Sequence, residues 1–126
     1  MEKKKRILLI EDEVDLLEML KFRLEANNYE ILTASDGHQG LVKARKEKPD
    51  LIILDLMLPK MDGYKVCRML KFDNKYKHIP IIIVTARAQE SDEKLGYEVG
   101  ADVYLTKPLE SQLLLQKVGE LLGVTE

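Results

Sequence analysis

One cysteine, Cys67, is all the chain has, which excludes an internal disulfide and fits a reducing compartment. It falls in a helical pattern with Val66, Met69 and Leu70 and reads as a small buried side chain. Arg68 is one position away, and such neighbours do not face each other on a helix, so no basic partner for a reactive thiol is evident. Long apolar runs are also missing. None approaches the ~20 residues of a membrane span, and the charged start has no signal-peptide core, so a cytoplasmic protein with no membrane partner is expected. A basic excess is lacking too: 20 Lys and Arg stand against 22 Asp and Glu, net −2, which leaves no electrostatic footprint for nucleic acid. The one dense basic cluster, Lys3 to Arg6, reads as a solvated lead-in to the first strand.

What is present suits a folded domain. The 126 residues are 45% hydrophobic and 33% charged, enough for one core and too apolar for a disordered chain. No linker, repeat or second domain is evident, so a single domain over residues 1–126 without an output domain is expected.

Five short apolar runs recur, each followed by helical spacing: Ile7 to Ile10, Tyr29 to Ala34, Leu51 to Leu54, Ile81 to Val84 and Val103 to Leu105. Three are continuous aliphatic stretches without polar alternation, the pattern of strands buried on both faces of a parallel sheet. Between them, Leu17, Leu20 and Leu24 mark one helix, stopped at Asn27 and Asn28, and Leu41 and Ala44 a second, ending before Pro49. Val66, Met69 and Leu70 mark the third; Leu95 and Val99 the fourth, closed by Gly100; Leu114, Val118, Leu121 and Leu122 the last. Gly96 and Gly119 weaken the last two assignments. Five alternations predict a doubly wound α/β fold with right-handed crossovers.

In such a sheet ligands bind beyond the carboxyl ends of the strands. The first run is followed by Glu11, Asp12 and Glu13; the third ends at Asp55; the fourth at Thr85; the fifth is followed by Thr106, Lys107 and Pro108. The second ends in Ser35, Asp36 and Gly37, which reads as a plain turn. Any one of these acids alone would suit a helix N-cap. Brought together, the carboxylates would repel by roughly several kcal/mol at intermediate dielectric, and a hard divalent cation with oxygen ligands offsets that. Lys107 adds a second positive charge for Asp55 or a phosphoryl oxygen, and Thr85 a hydroxyl donor. In the loop after Asp55, Pro59 fixes the backbone and Gly63 frees it, so the loop can aim the Met57 carbonyl at a metal. Pro108 admits a cis peptide that would aim the lysine inward.

These residues together resemble the receiver domain of bacterial two-component response regulators. The resemblance rests on Glu11-Asp12, on Asp55 with Pro59, Asp62 and Gly63 behind it, on Thr85-Ala86 and on Lys107-Pro108, at spacings of 43, 30 and 22 residues from Asp12 to Asp55 to Thr85 to Lys107. It implies a flavodoxin-like five-stranded parallel sheet of order 2-1-3-4-5 with five helices. It also implies phosphoryl transfer to Asp55 from a histidine kinase or a histidine phosphotransfer protein, with possible docking to a downstream effector. Mg²⁺ would be bound by Asp12, Asp55 and the Met57 carbonyl, and by Glu11 through water; Lys107 and Thr85 would bind phosphoryl oxygens. Thr85 and Tyr104 would form the switch, the aromatic ring turning inward as the hydroxyl moves, and the fourth helix, fifth strand and fifth helix would change surface. Arg87 lies where the family tunes hydrolysis. Two other classes fit less well. A phosphatase with an aspartyl-phosphate intermediate would want an acid at Met57, and a flavodoxin would want a Ser/Thr/Gly-rich loop where Glu11 to Asp15 stand. The complete set Asp12, Asp55, Thr85 and Lys107 argues against a module that takes no phosphate.

Overall fold

A computed structural model describes residues 3–124. Among these the order is β1 (Arg6–Ile10), α1 (Val14–Ala26), β2 (Glu30–Ala34), α2 (Gly37–Glu47), β3 (Leu51–Leu54), α3 (Gly63–Lys71), β4 (Ile81–Thr85), α4 (Glu90–Glu98), β5 (Val103–Thr106) and α5 (Ser111–Leu122). The strands pair in parallel in the order β2-β1-β3-β4-β5. The aliphatic runs are therefore strands, and both faces of the sheet are covered. On one face Leu8, Ile10, Ile52, Leu54, Ile81 and Ile83 pack with Leu41, Val66, Cys67 and Leu70 of α2 and α3. On the other Ile7, Leu9, Ile53, Ile82 and Val84 pack with Leu20, Leu24, Leu114 and Val118 of α1 and α5. Each such side chain contributes about 1.5–3 kcal/mol by leaving water, which is why runs without polar alternation commit to the sheet centre.

Helix ends follow local chemistry. Asn27 caps α1, and Asn28 beyond it has φ 72. The α2 helix ends at Lys48, in the left-handed region with φ 47, one residue before Pro49. Gly100, with φ +105, follows α4 and its cap Val99. Two local expectations are corrected. Asp36 is not part of a plain turn: its buried carboxylate accepts the Gln39 N–H at 2.7 Å and caps α2. Gly63 does not free the loop after Asp55, since the positive φ there falls on Lys60. Gly63 is instead the first residue of α3, where a Cβ would collide with the Asp55 carbonyl oxygen.

The chain leaves β1 for β2 on one side and returns to β3 on the other. That reversal opens a crevice at the carboxyl ends of β1 and β3, where the residues after Ile10 and Leu54 emerge.

Candidate functional site

Asp55 follows β3 directly and is 4% exposed. Its Oδ1 accepts the Met57 N–H at 3.1 Å, and its Oδ2 accepts from Lys107 Nζ at 2.9 Å. A carboxylate buried to this degree needs such partners, because removing an ionised group from water is costly unless it is paired. The first loop brings the other acids. Glu11, buried, accepts the Glu13 N–H on Oε2 at 3.0 Å and the Lys107 ammonium on Oε1 at 3.1 Å. Asp12 is exposed beside it. One carboxylate oxygen from each of Glu11, Asp12 and Asp55 lies within 4.8 Å of the others. That all-oxygen, multiply anionic donor set fits a hard divalent cation.

Lys107 arrives from the end of β5, where its N–H donates to the Thr85 carbonyl at 2.8 Å and its peptide bond to Pro108 is cis, as the proline allowed. Its ammonium touches three carboxylates: Asp55, Glu11 and, at 3.0 Å, Glu13. Burial lowers its pKa, but the hydrogen bonds it donates to Asp55, Glu13 and Glu11 outweigh that and the net shift is upward. For Glu11, burial is the largest influence and raises its pKa; the Glu13 N–H opposes this and the Asp55 charge adds to it. The Glu13 contact was not anticipated from sequence. Its only signal was a third acid in the loop after β1.

Thr85 is fully buried at the end of β4, its Oγ1 accepting the Arg87 N–H at 3.4 Å. Tyr104 is buried in β5, and its hydroxyl donates to the Arg87 carbonyl at 2.8 Å. The ring is thus already inward, where the resemblance implied that it turns in. Burial raises the pKa of its phenol. The place for the ring is made by Gly96: a Cβ there would lie 2.7 Å from Tyr104 Cδ2. The helix-weakening glycine of α4 therefore exists for packing. The Arg87 guanidinium stands 5.9 Å from the Tyr64 ring centroid, and the Tyr64 hydroxyl donates to the Asp92 carbonyl at 3.0 Å. Met57 has its side chain in solvent.

A doubly wound parallel α/β domain with acids, a lysine and a hydroxyl at the carboxyl ends of four strands, and an acidic donor set that fits a cation, is the class of protein defined here. The chain belongs to the response regulator receiver domain family, whose model matches residues 7–119. It is 43% identical over 97% of its length to half of the alkaline phosphatase synthesis transcriptional regulatory protein PhoP of Bacillus subtilis. It is 41% identical over 96% of its length to half of the DNA-binding dual master transcriptional regulator RpaA of Synechocystis. The chain spans about half the length of these curated relatives. Among solved structures, a putative response regulator from Chloroflexus aurantiacus superposes with a TM-score of 0.91 at 35% identity, over 96% of this chain and 99% of that one. A CheY-like receiver domain protein from Methanospirillum hungatei gives 0.89 at 31% identity, over 95% and 94%.

Proposed function

We propose that Asp55 accepts a phosphoryl group from a histidine kinase or a histidine phosphotransfer protein in a Mg²⁺-dependent reaction. The α4-β5-α5 surface then carries the change to a downstream effector. The observation behind this reading is Asp55 itself, buried with an N–H on one oxygen, an ammonium on the other and two acids beside it.

In the transfer, a carboxylate oxygen of Asp55 forms a bond to phosphorus as the phosphorus–nitrogen bond of the donor phosphohistidine breaks. The electron pair leaves with the imidazole, which takes a proton from solvent. Mg²⁺ would be held by Asp12, Asp55, Glu11 and the Met57 carbonyl, and when bound would supply charge neutralisation for the phosphoryl oxygens. Lys107 binds one of those oxygens and Thr85 another, so the work of the protein is positioning and preorganised charge. Water later attacks phosphorus, the bond to Asp55 breaks and the carboxylate returns. The domain in this reading catalyses its own phosphorylation and dephosphorylation and acts as a cytoplasmic switch, without direct contact to nucleic acid or membrane. Among the described residues no helix is long and apolar enough to cross a membrane.

The test is mass spectrometry after incubation with acetyl phosphate and Mg²⁺. A single added phosphoryl group on Asp55, lost in Asp55→Asn and under chelation, supports the reading. Labelling that survives either change overturns it.

A further inference from the structure

The Lys107 ammonium carries three N–H donors, and three carboxylate oxygens stand at 2.9, 3.1 and 3.0 Å from it, one each from Asp55, Glu11 and Glu13. A phosphoryl oxygen that is to bind Lys107 must therefore displace one of them. The three are not equally held. Glu11 has a side chain only 3% exposed, and its other oxygen is tied to the Glu13 N–H, so turning it away breaks two bonds in a buried place. Asp55 is the acceptor itself, anchored by Met57. The Glu13 side chain is 65% exposed and reaches the ammonium from the solvent side. Exposed ion pairs contribute least, so this bond is the one that gives way.

We infer that Glu13 is a displaceable placeholder for a phosphoryl oxygen, a positioning residue that holds Lys107 over Asp55 at rest and competes with the phosphoryl group for the same ammonium. Its carboxylate occupies the donor that the phosphoryl oxygen needs, and it adds a negative charge at the mouth through which an anionic donor enters. Glu13 thus lowers the affinity of the site for phosphoryl groups while keeping the resting lysine in place. The backbone N–H of Glu13, which holds Glu11, is untouched by a side-chain substitution.

This inference rests on the phosphoryl-acceptor reading, and its test separates the two. The affinity of the full chain for beryllofluoride at saturating Mg²⁺, followed by NMR, is compared in wild type, Glu13→Gln and Asp15→Asn. The last removes an exposed acid from the same loop end of α1 without touching Lys107. Circular dichroism melts establish that each variant is folded. Glu13→Gln is expected to bind about two- to fivefold more tightly, the range an exposed lysine–carboxylate pair contributes, with Asp15→Asn close to wild type. The acetyl phosphate labelling rate should rise by a similar factor. Unchanged or weaker binding in Glu13→Gln overturns the placeholder, as does an equal gain in Asp15→Asn, which would show a general charge effect. Absence of beryllofluoride binding and of labelling in the wild type would instead overturn the acceptor reading beneath it.

Discussion

The hydroxyls of Thr85 and Tyr104 are joined through one residue. Thr85 Oγ1 accepts the Arg87 N–H at 3.4 Å, and the Tyr104 hydroxyl donates to the Arg87 carbonyl at 2.8 Å. The loop after β4 is therefore held at both ends of one residue, by a long bond to Thr85 and a short one from Tyr104.

Removing the shorter bond should loosen the loop while sparing the ring. Tyr104→Phe is expected to lower stability by about 1 kcal/mol, the net contribution of an ordinary hydrogen bond, with Asp55 labelling intact. Denaturant melts and acetyl phosphate labelling check the two halves. Amide shifts of residues 86–89 on beryllofluoride addition should shrink relative to wild type.

Gly96→Ala sets helix propensity against packing. Alanine gains about 1 kcal/mol within a helix, but its Cβ would meet the Tyr104 ring at 2.7 Å and Ile83 at 3.4 Å. Overpacking of this kind costs about 1–3 kcal/mol, so a net loss of about 1 kcal/mol is expected in wild type. In a Tyr104→Ala background the same change should become stabilising. A double-mutant cycle of unfolding free energies measures this, and equal effects in both backgrounds would remove the packing explanation.

Lys107 holds together carboxylates that otherwise repel. Without divalent cation, Lys107→Met should destabilise the domain by about 3 kcal/mol, because it leaves buried acids unpaired. Added Mg²⁺ should recover more stability in this variant than in wild type. In wild type, Mg²⁺ at about a hundred times its Kd should add about 2.7 kcal/mol by mass action, and Asp12→Asn should blunt that gain. Calorimetric melts with and without chelator give both results.

Cys67 should be inert while the domain is folded. It is buried, its Sγ 3.6 Å from the Val99 carbonyl oxygen, and burial pushes the thiol up to about 12 from an ordinary value of 9.0. The unfolded chain releases this proton at lower pH than the folded one, so Cys67 favours unfolding increasingly as pH rises through 9 toward 12. Alkylation at pH 8.5 should be slow in buffer and fast in denaturant; rapid native labelling would contradict the burial.

Much of this was legible in the residues because one physical cause dominated each. Ile7 to Ile10, Leu51 to Leu54 and Ile81 to Val84 are aliphatic throughout, and only a sheet covered on both faces accommodates that; what followed each run then fell at one edge. The structure extends the runs by polar ends, Arg6, Thr85 and Thr106, which pair in the ladder although their side chains carry no apolar signal. Asp36 differs from its expected turn because a turn and a helix cap use the same residues, and the bond to the Gln39 N–H separates them. Gly63 departs from its expected role because sequence reports freedom of φ and not what lies opposite the missing Cβ, and for the same reason the packing of Gly96 against Tyr104 is silent in the sequence. The bond from Lys107 to Glu13 spans 94 positions and ends on an acid to which the sequence assigns no role, so spacing holds no trace of it.

The reach of Lys107 to Glu11 across 96 positions bears on when the site exists at all. A contact between such distant segments needs every strand between them in place. Any local opening that draws β5 away withdraws the ammonium from the buried acids at the ends of β1 and β3. Competence to hold charge at this edge is thus a property of the completed domain, and the acids serve as an internal check that the last strand has docked.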